Sequence, residues 1–132
     1  MIAAAARSAD RTLFALGADP QRIKWGIEVS RQARAEAGLD ADGIRYGAYV
    51  NVVAHPDVAI ARKLVIGSLS TFARFSVMHG TVSGPTTERL TELASVGLTK
   101  IIVIGPSAGS DREHARAAER EIVDAVLPAL GG

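Results

Sequence analysis

The chain has no cysteine, which excludes disulfide frameworks and thiolate zinc sites. Its charges nearly cancel, and a formal net charge of +1 offers no field for nucleic acid or an anionic membrane. No apolar run approaches the roughly 18 residues of a membrane span. The opening MIAAAARSADR carries neither a basic leader nor a long apolar stretch. No signal peptide is read there, and a cytoplasmic location is the default expectation. His55, His79 and His114 have no metal-ligand spacing, so no metal is expected. No Ser-His-Asp set or carboxylate pair follows from spacing, and the catalytic residues stay unknown at this stage.

What remains is an ordinary globular composition, 48% hydrophobic and 22% charged over 132 residues, enough for one domain with a core. The stretch Arg45–Phe75 organises it. Tyr46–Val53 is an almost unbroken β-branched, aromatic and small-residue run, which suits a strand covered on both faces. Ala54-His55-Pro56-Asp57 turns the chain, with Pro56 suited to the first helical position. Ala61, Leu64, Val65, Ser68 and Phe72 then share a helical stripe.

Similar units flank it. Ile2–Ala9 is helix-prone, so Met1 is expected to open almost directly into a helix. Thr12–Leu16 is a short strand candidate, and Asp19-Pro20 starts a helix to about Ala37. Ile23, Gly26, Ile27, Ser30, Ala33 and Ala37 form its inner face, small enough to lie close to a sheet; Arg34 must snorkel, and Gly38 is the expected C′ residue. Thr86 or Thr87 caps a helix through Val96, with Leu90, Leu93 and Ala94 inward, and Gly97 stops it. Lys100–Ile104 is a buried strand. Ser110 or Asp111 caps the last helix, whose inner face is Ala115, Ala118, Ile122, Ala125 and Val126, with Pro128 and the final glycines ending it.

This order predicts an α/β fold with parallel strands and helical crossovers. The loops Gly17–Asp19, Ala54–Asp57 and Gly105–Ser110 then lie on one sheet edge, where ligands bind in such folds. One irregularity stands out. Ser76–Pro85 reads as a loop, leaving two helices in succession without a strand between them.

The motifs have plain readings beside functional ones. Ile104–Asp111 is a small-residue loop between strand and helix, fit for anion contact or for ordinary turn chemistry. It is neither a P-loop nor a dinucleotide fingerprint. His55, at the ligand edge, suits hydrogen bonding or acid–base work, or else caps its own helix. His79 in the Gly/Ser loop is similar. His114 reads as an exposed residue on a charged helix. Arg74 either meets a ligand anion or faces solvent. Glu113, Arg116, Glu119 and Arg120 read as a solvated face with i,i+3 and i,i+4 pairs.

Taken together, IAAAARSADRTLFALGADPQRIKWGIEVSRQAR, GAYVNVVAHPD, FARFSVMHGTVSGP and LASVGLTKIIVIGPS resemble the luciferase-like monooxygenase superfamily. The nearest branch is the deazaflavin-dependent oxidoreductases akin to methylenetetrahydromethanopterin reductase. The resemblance is collinear and covers nearly the whole chain. It implies the C-terminal half of a (β/α)8 TIM barrel, residues 1–132 forming one incomplete domain. The family's N-terminal strands have no counterpart, and a further strand-bearing stretch normally falls between Pro85 and Thr86. It also implies hydride transfer between coenzyme F-420, a deazaflavin, or alternatively FMN, and a small organic substrate. Gly17, Ala18, His55, His79, Gly80, Ser83, Gly84, Gly105, Pro106 and Ser107 match the family's coenzyme-side loops. Because the coenzyme carries the chemistry, the lack of an acid–base set is compatible with an enzyme. A part-barrel has open edges, so a homo-oligomer is expected. The alternative is a catalytically inactive α/β module that persists by self-association.

Overall fold

The computed structural model describes residues 1–69, 85–106 and 111–130, with side chains given up to Ile66 in the first of these segments. Three strands form one parallel sheet in the order β1 (Arg11–Phe14), β2 (Arg45–Asn51), β3 (Lys100–Ile104). Phe14 lies opposite Ala48, and Gly47 through Asn51 lie opposite Lys100 through Ile104. Helices α1 (Ile2–Ser8), α2 (Pro20–Glu36), α3 (Val58–Leu69), α4 (Thr86–Ala94) and α5 (Arg112–Glu121) accompany it, followed by a π turn (Ile122–Val126) and α6 (Leu127–Leu130). This is a partial TIM-barrel-like α/β fold. None of the described helices is long and apolar enough to cross a membrane.

The expected break in the alternation falls on residues 70–84, outside the described segments. Helices α3 and α4 both lie between β2 and β3, and those strands pair directly. Thr99 fixes the join, its N–H and hydroxyl both donating to the Tyr46 carbonyl at 2.8 and 3.0 Å.

Local rules account for α2. Asp19 Oδ1 accepts the Gln21 N–H at 2.9 Å, and Pro20 opens the first turn. At the other end, Gly38 takes φ +70, where a side chain would be strained. The Leu39 N–H then donates to the Arg34 carbonyl and the Gly38 N–H to that of Ala35, a Schellman closure. Gly26 lets the helix approach the sheet, since a Cβ there would meet Leu16 Cδ1 at 3.0 Å and Phe14 at 3.1 Å. Arg34 does snorkel, reaching the Ala6 carbonyl at 2.9 Å and tying α1 to α2.

The main core lies between these helices and one sheet face, with Phe14, Tyr46, Ala48, Val50, Ile23, Ile27, Leu90, Leu93, Ile122 and Val126 buried together. The opposite face is open. Leu13, Tyr49 and Ile104 on it are 37, 39 and 40% exposed, so β2 is not covered on both faces as its composition suggested. That face corresponds to the barrel interior of such a fold, and its apolar side chains are partly exposed among the described residues.

Several boundaries move. Strand β1 ends at Phe14 and β2 at Asn51, because pairing sets strand ends. Ala37 and Ala94 are exposed. Pro85, with no side-chain cap, precedes α4 in place of a capping threonine. Ala125 faces solvent because the π turn adds a residue and rephases the helix. The same wider turn accommodates Pro128, so the chain stays helical to Leu130. The charged face of α5 is exposed, but no ion pair joins its members among the described residues. Such exposed pairs contribute little, and nothing fixes their geometry.

Candidate functional site

Parallel strands place their following loops on one edge. Gly17 and Ala18 follow β1, His55 follows β2, and Gly105 and Pro106 follow β3. The Val52 N–H donates to the Ile104 carbonyl at 2.9 Å, carrying the β2–β3 pairing up to this rim. Gly17 has φ +85, a backbone turn that glycine makes without strain. Ala18 packs partly against the core, and Pro106 is buried. His79, Gly80, Ser83, Gly84 and Ser107 lie outside the described residues, as do Arg74 and Ser110.

Pro56 is not the first helical residue. Asp57 caps α3 instead, its Oδ1 accepting the N–H groups of Ala59 and Ile60 at 2.8 and 3.3 Å. The Asp57 N–H donates to His55 Nδ1 at 3.0 Å. That nitrogen is therefore bare, and the ring proton of neutral His55 sits on Nε2. His55 thus has a local role in its own loop and still presents one N–H outward.

The structure brings a second histidine to this place. The His114 ring lies 5.5 Å from that of His55, tilted by 56°. His114 Nδ1 is 2.6 Å from Asp111 Oδ1. An ionised carboxylate only accepts, so His114 carries its hydrogen on Nδ1 and leaves Nε2 as an acceptor when neutral. The hydrogen bond from His114 chiefly holds the Asp111 carboxyl below the ordinary carboxylate range; desolvation opposes this, and the Lys63 ammonium assists. Lys63 Nζ is 4.0 Å from Asp111 Oδ2. Leu64, Ala115 and Ala118 form a small second core that locks α3 to α5 beneath these groups.

The pair of imidazoles, one donating and one accepting, was not foreseen. His114 looked like a residue on an exposed charged face. Its clue was the Asp111-x-x-His114 spacing at a helix start, where i,i+3 side chains meet. No three His, Asp or Glu side chains gather in a metal-binding arrangement among the described residues.

No protein-family profile matches the sequence, and no curated protein does. Among solved structures, the chain is similar to the coenzyme F-420-dependent tetrahydromethanopterin reductase from Methanopyrus kandleri, at 16% identity and a TM-score of 0.54. The match covers 98% of this chain and 48% of that one, so the chain spans about half the length of the structure that it matches. At this identity the likeness shows the fold alone, part of a TIM-barrel-like α/β architecture.

Proposed function

We propose that this chain is a half-barrel of a deazaflavin-dependent, luciferase-like oxidoreductase. It would transfer hydride between coenzyme F-420 and a small organic substrate. The observation that carries this reading is the shared rim of three parallel strands, within a fold match to a reductase whose coenzyme is F-420. FMN is the alternative coenzyme.

The described residues fit such a group. Gly17, Ala18 and Gly105 leave little side-chain bulk at the rim, so a flat ring system can approach the backbone. His55 Nε2–H is a donor and His114 Nε2 an acceptor for the polar edge of a coenzyme or substrate. The coenzyme, when bound, supplies the hydride carrier. The protein's part is to bind, orient and hold a proton at an imidazole nitrogen.

The test is a fluorescence titration of oxidised coenzyme F-420 with the purified chain, and of FMN in parallel. Saturable quenching at tens of micromolar by F-420 supports the reading; no binding of either removes it. The open inner face of the sheet favours a second reading, an inactive module that persists by association. Absence of coenzyme binding in a folded protein would leave that one.

A further inference from the structure

The loop after β2 and the start of α5 carry two imidazole hydrogen bonds that answer a proton in opposite ways. His114 Nδ1 donates to Asp111 Oδ1 at 2.6 Å. A proton added to neutral His114 goes to Nε2 and makes that bond charge-assisted, which strengthens it. His55 Nδ1 accepts the Asp57 N–H at 3.0 Å, so this nitrogen must stay bare for the bond to exist. A proton added to neutral His55 goes to Nδ1 and turns the acceptor into a second donor facing the Asp57 N–H. The bond then breaks.

The surroundings give a charged His55 nothing in exchange. Its ring is 5.5 Å from that of His114, so in acid two imidazolium cations stand side by side. Among the described residues, the charged side chains around the two rings are Asp57 in the same loop, Lys63 on α3 and Asp111 beside α5. Asp57 Oδ1 is held by the N–H groups of Ala59 and Ile60, and Asp111 is held by His114 with Lys63 nearby. Neither carboxylate lies within ion-pair distance of His55. The end of β3 and the residues after it, Ile104, Gly105 and Pro106, bring no charge.

We infer that His55 is a proton-operated latch on the rim. Neutral, it holds the loop Ala54–Asp57 closed through the Asp57 amide; protonated, it releases that loop. The bond contributes its stability above the titration of His55 and loses it as the pH falls through that range. Imidazole ordinarily titrates between about pH 5 and pH 8, so the latch works near neutrality. The change is local, because Leu64, Ala115 and Ala118 hold α3 to α5 whatever the charge on the rings. Release also frees the His55 Nε2–H from its fixed place beside His114, so the rim binds its ligand less well in acid. That last consequence rests on the coenzyme reading; the latch itself does not.

Nuclear magnetic resonance of the intact chain, from about pH 8 to about pH 5, tests the latch with no ligand present. Its failure is therefore distinct from a failure of the proposed function. At the alkaline end, the ring nitrogens should show hydrogen on Nε2 of His55 and on Nδ1 of His114. On acidification the Asp57 amide proton should move upfield with the midpoint of the His55 ring titration. Its exchange with water, corrected for the intrinsic pH dependence, should rise about tenfold, as for the loss of one hydrogen bond. His55→Asn keeps an acceptor that takes no proton, so the amide should hold its bonded position throughout. His55→Ala has no acceptor and should show the released position at every pH. Hydrogen on Nδ1 of His55 at the alkaline end, an Asp57 amide that ignores the ring titration, or a shift that persists in either variant would overturn the inference.

Discussion

His55 and His114 come from different β-loop-α units, yet their rings stand 5.5 Å apart with opposite proton placement. The Asp57 amide fixes the bare nitrogen of His55, and Asp111 fixes the protonated nitrogen of His114. The loop after β2 and the start of α5 therefore meet at the rim with one donor and one acceptor exposed.

Asn can copy the Nδ1 acceptor of His55 but not its Nε2 donor. His55→Asn should leave the melting temperature nearly unchanged. Coenzyme affinity should fall about tenfold, the loss of one hydrogen bond worth about 1.4 kcal/mol. Fluorescence titration of the variant checks this, and unchanged affinity would remove His55 from the site.

Asp111 has a folded pKa below its unfolded value, which is near 3.8. The stability this contributes is present above the unfolded pKa and is lost as pH falls through the folded one. Asp111→Asn should therefore melt below the parent at pH 5. The two curves should converge as the pH is lowered through the carboxylate range. Parallel curves at all pH values would contradict the pairing.

The Tyr46 hydroxyl is buried without a hydrogen-bond partner among the described residues, and burial raises the phenol above its ordinary value of 10.0. A raised folded pKa means stability is present below the unfolded pKa and lost as pH rises through the folded one. Tyr46→Phe keeps the stacking on Phe14, whose ring centroid is 5.8 Å away, and removes the orphan group. It should stabilise the protein by about 1 kcal/mol at neutral pH and flatten the alkaline loss of stability. Denaturant melts at pH 7 and above pH 10 would show both effects.

Gly47 has no room for a methyl group. Its Cβ would lie 2.6 Å from Leu13 Cδ2 and 2.9 Å from the Lys100 carbonyl oxygen. Gly47→Ala should destabilise by about 2 kcal/mol, typical of overpacking. Adding Leu13→Ala should rescue it only in part, because the Lys100 clash is with backbone. Urea melts of the single and double variants measure the difference.

The elements that were legible in the sequence are those fixed by local chemistry. Asp19, Pro20 and Gly38 act within a few residues of themselves, and α2 starts and stops where they require. The run KIIVI becomes a strand over its full length, Lys100–Ile104. The parallel arrangement followed from alternation alone. What depended on tertiary context was missed. Tyr49 has the composition of a buried strand residue, yet it is 39% exposed, because burial depends on what packs on its face of the sheet and not on its own strand. Pro128 and the final glycines were expected to end the last helix; it passes Pro128, because no local rule announces a π turn, and runs to Leu130, directly before those glycines. Of the rim residues, Gly17, Ala18, His55, Gly105 and Pro106 lie where expected on one edge. His114 joined them through packing of α5 on α3, which sequence spacing does not encode.

Binding of the deazaflavin at the rim formed by the loops after β1, β2 and β3 is the most direct test of the proposed function. Calorimetric titration of the folded chain with oxidised coenzyme F-420 should give saturable binding at tens of micromolar, weakened in His55→Asn. A flat titration with a protein that melts cooperatively would contradict it.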